Sequence, residues 1–225
     1  RFIDKEKQGI NVLAFLQDKL KAEPEYPEFD NELIVKYNQE ALINSRSIAY
    51  LKNRGITKQS VENFQIGYVT EEDMICIPIH MPNGRCVGLV QRSIEGKIFK
   101  NTPGLPKGKT LFNIHNNKMH DGIFIVESSF DAIRIEQAGG YAVATLGANI
   151  SSGQLEIIKK YFNKVFVIGD NDDAGREMAK KMMEKLPNVT RSVIMPDGYK
   201  DVSEMEQEKL TEYISKIDSH ILVGI

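Results

Sequence analysis

The chain has 225 residues, 41% of them hydrophobic and 27% charged, which is enough for one or two packed domains. Its 29 Lys and Arg against 31 Asp and Glu leave a formal charge of −2, excluding a strongly basic nucleic-acid arm and an acidic disordered tail. No apolar run approaches the roughly 18–20 residues of a membrane span, and Cys76 and Cys86 make neither a Cys-x-x-Cys pair nor a zinc cluster.

The first residue is Arg1 and no secretory segment follows it, so the chain reads as a piece of something longer. His80, His115, His120 and His220 stand too far apart for an i, i+4 metal pair and are expected at the surface or as caps. Both thiols are expected free, in a reducing intracellular compartment. Charge is uneven: residues 46–118 carry 11 basic and 5 acidic side chains, and residues 119–225 carry 12 and 17.

In chain order, Val12, Leu13, Phe15, Leu16 and Leu20 predict a helix over 11–21, broken by Pro24 and Pro27. A second helix is predicted over 32–44 from Leu33, Ile34, Tyr37, Ala41 and Leu42, with Asn31 as its cap. Residues 1–45 thus read as a helical lead-in without chemistry of their own. A short helix from Ser47 ends at Gly55, and Thr57 caps another through Phe64. Two apolar runs, 74–80 and 85–92, flank Met81-Pro82-Asn83-Gly84 and predict an antiparallel hairpin. With Asn83-Gly84 as a two-residue loop, Met81 rather than Cys76 faces Cys86, so no disulfide is expected. Beyond it, Arg85, Arg92, Lys97, Lys100, Lys107 and Lys109 gather against a single acid, Glu95, in an extended, Pro- and Gly-rich stretch. Contact with nucleic-acid phosphates is the favoured reading there.

From residue 119 strands and helices alternate. Strands are predicted over 123–126, 141–146, 165–168 and 189–195, and helices over 131–138, from Ser151 or Ser152 to 162, 174–186 and 203–217. That alternation implies a parallel sheet with right-handed crossovers and helices on both faces. Ligands of such sheets bind beyond the carboxyl ends of the strands. Acids fall there: Glu127 and Asp131 after the first strand, Asp170, Asp172 and Asp173 after the third, Asp197 and Asp201 after the fourth. Carboxylates so gathered repel unless water or divalent cations intervene, and hard oxygen ligands suit Mg²⁺ or Mn²⁺. Metal work is the reading for Glu127, Asp170 and Asp172, and helix capping or solvation for Asp173. Arg176 either neutralises these acids, holds a phosphate or makes a structural salt bridge. Gly147, in the loop Thr145-Leu146-Gly147-Ala148-Asn149, serves either a nucleotide cradle or a tight turn.

Val126-Glu127-Ser128-Ser129-Phe130-Asp131 and Asp170-Asn171-Asp172-Asp173-Ala174-Gly175-Arg176 resemble the two acidic motifs of the TOPRIM domain, shared by DnaG-type primases, topoisomerases and some nucleases. Upstream, Ala49 to Ile56, Phe64 to Tyr68, Ile77-Pro78-Ile79, Asn83-Gly84, Gly88, Arg92, Lys97 to Asn101 and Lys107 to Phe112 are similar to the DnaG-type primase core. The resemblance covers about residues 46–205. It departs at Ser128, where primases usually have Gly, and at Ser203, where the family often has a further Asp.

The resemblance implies an α/β fold, a TOPRIM-type parallel sheet flanked by helices (119–225, with a C-terminal helix), preceded by a smaller mixed α/β basic subdomain (46–118). It implies the catalytic core of a DNA primase, synthesising short RNA primers on single-stranded DNA from ribonucleoside triphosphates. Catalytic roles go to Glu127, Asp131, Asp170 and Asp172, with Mg²⁺ or Mn²⁺ on Asp170, Asp172, Asp201 and Glu127, and Asp197 in reserve. Template contacts go to Arg92, Lys97, Lys100, Asn101, Lys107 and Lys109, and nucleotide contacts to Arg176 and Gly147. A replicative helicase, in cis or in trans, is the implied partner, and the family's zinc-ribbon module is missing from this fragment. The trimmed arrangement is most similar to phage primases and primase–helicase fusions, placing the chain in the cytoplasm of a bacterium or phage-infected cell, with no membrane. The alternatives are a TOPRIM nuclease or topoisomerase fragment and a non-catalytic replication scaffold.

Overall fold

A computed structural model of the protein describes residue 26 and residues 28–222, with side chains through residue 217. The helix expected over 11–21, Pro24, Pro27 and the His220 side chain lie outside the described residues. Among the described residues no helix is long and apolar enough to cross a membrane.

Helices α1 (Asn31–Ile43), α2 (Ser45–Asn53) and α3 (Lys58–Asn63) lead into a four-stranded antiparallel sheet, β1 (Gly67–Val69), β2 (Met74–His80), β3 (Cys86–Ser93) and β4 (Phe99–Asn101), in that spatial order. The cap of α1 is Asp30, not Asn31: its carboxylate accepts the Glu32 N–H at 2.8 Å, and Asn31 is already helical. Thr57 caps α3 as expected. Ile34 and Tyr37 of α1 pack with Val69, Cys76, Cys86 and Leu89, so α1 covers one face of the antiparallel sheet.

The β2–β3 hairpin departs locally from expectation. Gly84 N–H bonds Met81 O and Met81 N–H bonds Arg85 O, both at 2.9 Å, and Gly84 sits at φ +93°. The loop is therefore three residues, Pro82-Asn83-Gly84, a turn that ends in a left-handed glycine. That loop places His80, not Met81, opposite Cys86, and a bulge beyond this pair then sets Ile79 opposite Gly88. Both thiols are buried and free. His80 and His115 are also not surface residues: their half-buried rings meet at 4.2 Å between centroids.

The second half is a parallel sheet of β5 (Gly122–Val126), β6 (Ala142–Ala144), β7 (Lys164–Val167) and β8 (Thr190–Ser192), in the order β6-β5-β7-β8. A single helical turn, α4 (Ile114–Asn117), precedes it, and α5 (Ser129–Gln137), α6 (Ser152–Tyr161), α7 (Asp173–Lys185) and α8 (Gln207–Leu222) surround it. Strand alternation sorts the two faces. Phe124, Val126, Ala142 and Ala144 pack with Ile133 of α5 and Ile214 of α8, while Ile123, Ile125, Val143, Val165 and Val167 pack with Leu155 and Ile158 of α6 and Met178 and Met182 of α7. Ser151 caps α6 in a reciprocal capping box with Gln154.

Three expected bounds shift. Ser128 caps α5, which starts two residues before Asp131. The fourth strand is three residues rather than seven, with a last bond to β7 from the Val193 N–H to Val167 O at 2.9 Å. The last helix splits into a 3₁₀ turn, Val202–Glu204, and α8, because Asp201 caps the turn and Met205 is extended.

The two sheets share one core. The cluster holding Leu51, Val61, Ile66, Ile75 and Ile77 is continuous with Phe124, Phe130, Ile133 and Ile214. Arg134 of α5, 4% exposed, crosses that junction and donates to Gly55 O and Met205 O. An isolated antiparallel bridge, Phe112 to Ala144, ties the linking segment to β6.

Candidate active site

The carboxyl ends of β5 and β7, the α5 N-terminus and the turn after β8 converge on one cleft. Gly175 lets this happen at α7: a side chain there would strike the Asp170 backbone within 2.2 Å, so only glycine admits the helix start against the Asp170 loop. The acid-bearing segments are also tied together directly. Asn171 N–H reaches Lys200 O at 2.7 Å, Ser203 N–H reaches Asp131 Oδ1 at 3.0 Å, and Gly147 N–H reaches Glu127 O at 3.1 Å.

Opposite this acidic rim stands the antiparallel sheet. The outer cleft, about 780 Å³, is lined by Arg54, Arg92, Lys97 and Phe99 on one side and by Asp131, Asp170, Asp201 and Ser203 on the other. An inner chamber of about 370 Å³ shares Arg92, Phe99, Ser128 and Asp170 with it and adds Glu127, Asn101, Lys107 and Gly147 over an apolar floor of Ile75, Ile77, Val90 and Phe130.

The electrostatics of the rim are those of crowded carboxylates. Burial, then Glu127, Asp131, Asp201 and Asp172, push the Asp170 carboxyl up to about 7. Glu127 and Asp201 are also raised above the ordinary range, in both cases chiefly by burial. Glu127 Oε1 is buried with no hydrogen-bond partner. Across the cleft, burial and the neighbouring Arg54 hold the Arg92 guanidinium below its usual value. An orphaned carboxylate oxygen beside an acid this strongly raised fits a divalent cation. Among the described residues no group of three or more His, Cys, Asp or Glu side chains could hold a metal ion by itself, so one or two carboxylates are the most the cleft offers an ion.

The comparisons with known proteins follow this geometry. Residues 124–205 match the Toprim-like family. The DNA primase of Mycoplasma genitalium is 32% identical over 165 residues, covering 68% of this chain and 27% of that protein. The Aquifex aeolicus primase structure (zinc-binding and RNA polymerase domains) aligns with a TM-score of 0.71 at 26% identity, over 83% of this chain and 59% of that one. A DnaG primase catalytic domain bound to single-stranded DNA gives 0.72 at 21% identity, over 84% and 76%. The chain has the fold of a DnaG-type primase catalytic core. It spans 27%, 46% and 42% of the DNA primases of M. genitalium, A. aeolicus and Haemophilus influenzae.

Within this primase-type core the expected site residues divide. Glu127, Asp131, Asp170 and Asp201 reach the cleft, as do Arg92, Lys97, Asn101, Lys107 and Gly147. Asp172 does not line it: its carboxylate caps α7 through the Gly175 N–H at 3.0 Å. Lys100 points elsewhere, to Glu72 at 2.7 Å, because alternate residues of β4 face opposite sides. Lys109 is exposed outside the cleft. Arg176 is also outside it, paired at 2.6 Å with Asp173 on the exposed face of α7, and Asp197 is exposed beyond β8.

Other residues line the cleft without having been picked out in the sequence. Tyr50 and Arg54 stand one helical turn apart on α2, with the guanidinium 5.0 Å from the Tyr50 ring and 5.3 Å from that of Phe130. That i, i+4 aromatic–Arg spacing was the available signal. Phe99, 64% exposed with Arg92 5.0 Å from its ring, lies inside the basic stretch, where its aromatic character is masked by the surrounding charges. Lys200 was overshadowed by Asp201.

Proposed function

We propose that the chain is the RNA-polymerase core of a bacterial DNA primase, joining ribonucleoside triphosphates into short primers on single-stranded DNA. The observation that carries this is a single cleft with Arg54, Arg92 and Lys97 on one wall and Asp170, Asp201 and Glu127 on the other. A polyanionic template and a cation-bound triphosphate need such a pairing of opposite walls. The likeness to a DnaG catalytic domain bound to single-stranded DNA supports the same reading.

Asp170 with Glu127 or Asp201 would hold Mg²⁺ or Mn²⁺, one or two carboxylates to an ion, while Asp172 stays on its helix cap. When bound, the ion neutralises charge on the phosphates and acidifies the primer 3′-hydroxyl. The residues do the rest. Arg92, Lys97, Asn101 and Lys107 set the template backbone against the antiparallel sheet, and Phe99 offers an exposed face for a base. The 3′-oxygen attacks the α-phosphorus, the bond to the bridging oxygen breaks, and pyrophosphate leaves. Where it is not the ion's ligand, Glu127, poorly solvated and raised, would instead take the hydroxyl proton.

A helicase partner and a zinc module, the latter present in the A. aeolicus primase structure, belong to this proposal, as does a cytoplasmic setting. Likeness to phage primases and primase–helicase fusions rests on the sequence alone, since the relatives named above are bacterial. The deciding assay is nucleotide incorporation on a pre-annealed primer with Mn²⁺. Asp170→Ala is expected to lose more than about a hundredfold in rate, the scale of several kcal/mol of charge stabilisation, while binding DNA normally. Full activity in that variant excludes the reading.

A further inference from the structure

Asp131 differs from the other cleft acids in how its oxygens are occupied. A carboxylate offers about four lone-pair sites over two oxygens. Oδ1 of Asp131 accepts both the N–H of Ser203, at 3.0 Å, and the Ser203 hydroxyl, at 2.5 Å. Oδ2 accepts the Ser128 hydroxyl at 2.5 Å, and the Asp131 N–H returns a bond to that hydroxyl at 3.3 Å. The residue is only 4% exposed. By contrast Glu127 Oε1 meets no donor, and among the described residues no side chain donates to Asp170. Three of the four sites on Asp131 are thus taken and a cation finds at most one open, on Oδ2, whereas Glu127 Oε1 is wholly open.

We infer that Asp131 is a strut rather than an ion ligand: clasped by Ser203 and Ser128, it holds the Asp201 turn in place, and Ser203 is a positioning residue for Asp201. This rests on the reading of the cleft as a cation site. The connection is short. Ser203 lies two residues after Asp201, inside the 3₁₀ turn Val202–Glu204 that the Asp201 carboxylate caps through the Glu204 N–H at 3.1 Å. Its N–H and O–H both end on one oxygen of α5, and Met205 O is held by Arg134 of the same helix. Asp201 is thereby fixed against the rim from α5, a rigid element, as well as by its own turn and by the Asn171 N–H on Lys200 O.

The test is Mn²⁺ binding to the nucleotide-free chain, measured by calorimetry and electron paramagnetic resonance, with melting temperature recorded alongside. Asp131→Asn keeps both Ser203 bonds and is expected to bind Mn²⁺ within about threefold of the unaltered chain, whereas Asp170→Asn loses more than about tenfold. Ser203→Ala is expected to lose about tenfold, the lower bound for groups that orient ligands. Ser203→Thr, which keeps the hydroxyl, restores binding. Asp131→Asn falling as far as Asp170→Asn overturns the strut, and so does Ser203→Ala binding normally. If Ser203→Ala fails to fold, Ser203→Thr with normal affinity supports the clasp and Ser203→Thr without it overturns it. Absence of Mn²⁺ binding by the unaltered chain is a different failure: it overturns the cation reading of the cleft, and the strut with it.

Discussion

The two walls of the cleft are held by different means. On the parallel-sheet side, Asp131, Asp172 and Asp201 are each pinned by backbone N–H or hydroxyl donors, and the loops bearing Asp170 and Asp201 are bonded to each other. On the antiparallel-sheet side the cations stand on long side chains, and the Nε atoms of Arg54 and Arg92 are buried without hydrogen-bond partners. Segments that present carboxylates to a small ion need fixed positions, which Asp131 and Asp172 secure from beside the open groups of Glu127 and Asp170, while groups that track a varied polyanion gain from reach. The difference in anchoring matches that division of labour.

The comparison breaks most severely where the walls are joined. Arg134→Met removes two charge-assisted bonds to buried carbonyls and is expected to cost about 3 kcal/mol in a single cooperative transition. Two separate melting steps would instead show that the sheets fold independently. Next in size, Arg92→Ala should weaken binding of single-stranded DNA by about five- to tenfold and lower the salt slope by about one, with Mn²⁺ affinity unchanged. A loss of Mn²⁺ binding there would erase the distinction between the walls.

A subtler effect concerns pH. Between its ordinary value of 3.8 and about 7, Asp170 is protonated in the folded chain and ionised in the unfolded one. Cation-free stability should therefore fall as pH rises through that window. Asp170→Asn should flatten the melting-temperature profile there and raise it at pH 8; parallel curves for the two proteins would contradict the repulsion. The smallest effect is expected from Lys100→Ala, below about twofold in template affinity by gel shift, because an exposed ion pair such as that with Glu72 contributes little.

Much of this was legible in the sequence because it follows from periodicity. Alternating strands and helices gave the parallel sheet, strand ends located Glu127 and Asp170, and Thr57 and Ser151 announced their helices. What stayed hidden depends on orientation. A run of lysines does not reveal that Lys97, in the turn before β4, enters the cleft while Lys100 leaves it from the far side of β4. A left-handed Gly84 that lengthens the loop decides what faces Cys86, a bulge beyond His80 shifts the rest of the hairpin, and neither alters the apolar pattern. Ser128 and Ser203 looked like departures from a motif. Only their shared partner, Asp131, makes them a pair.

The Phe112–Ala144 bridge and the single apolar cluster beneath both sheets carry a mechanical consequence. The gap between the jaws is determined during folding, and widening it means tearing hydrogen bonds and exposing hydrocarbon. On the proposed reading, a strand would thread an aperture of preset width, and its advance would fall to motion of the nucleic acid rather than to opening and shutting of the protein.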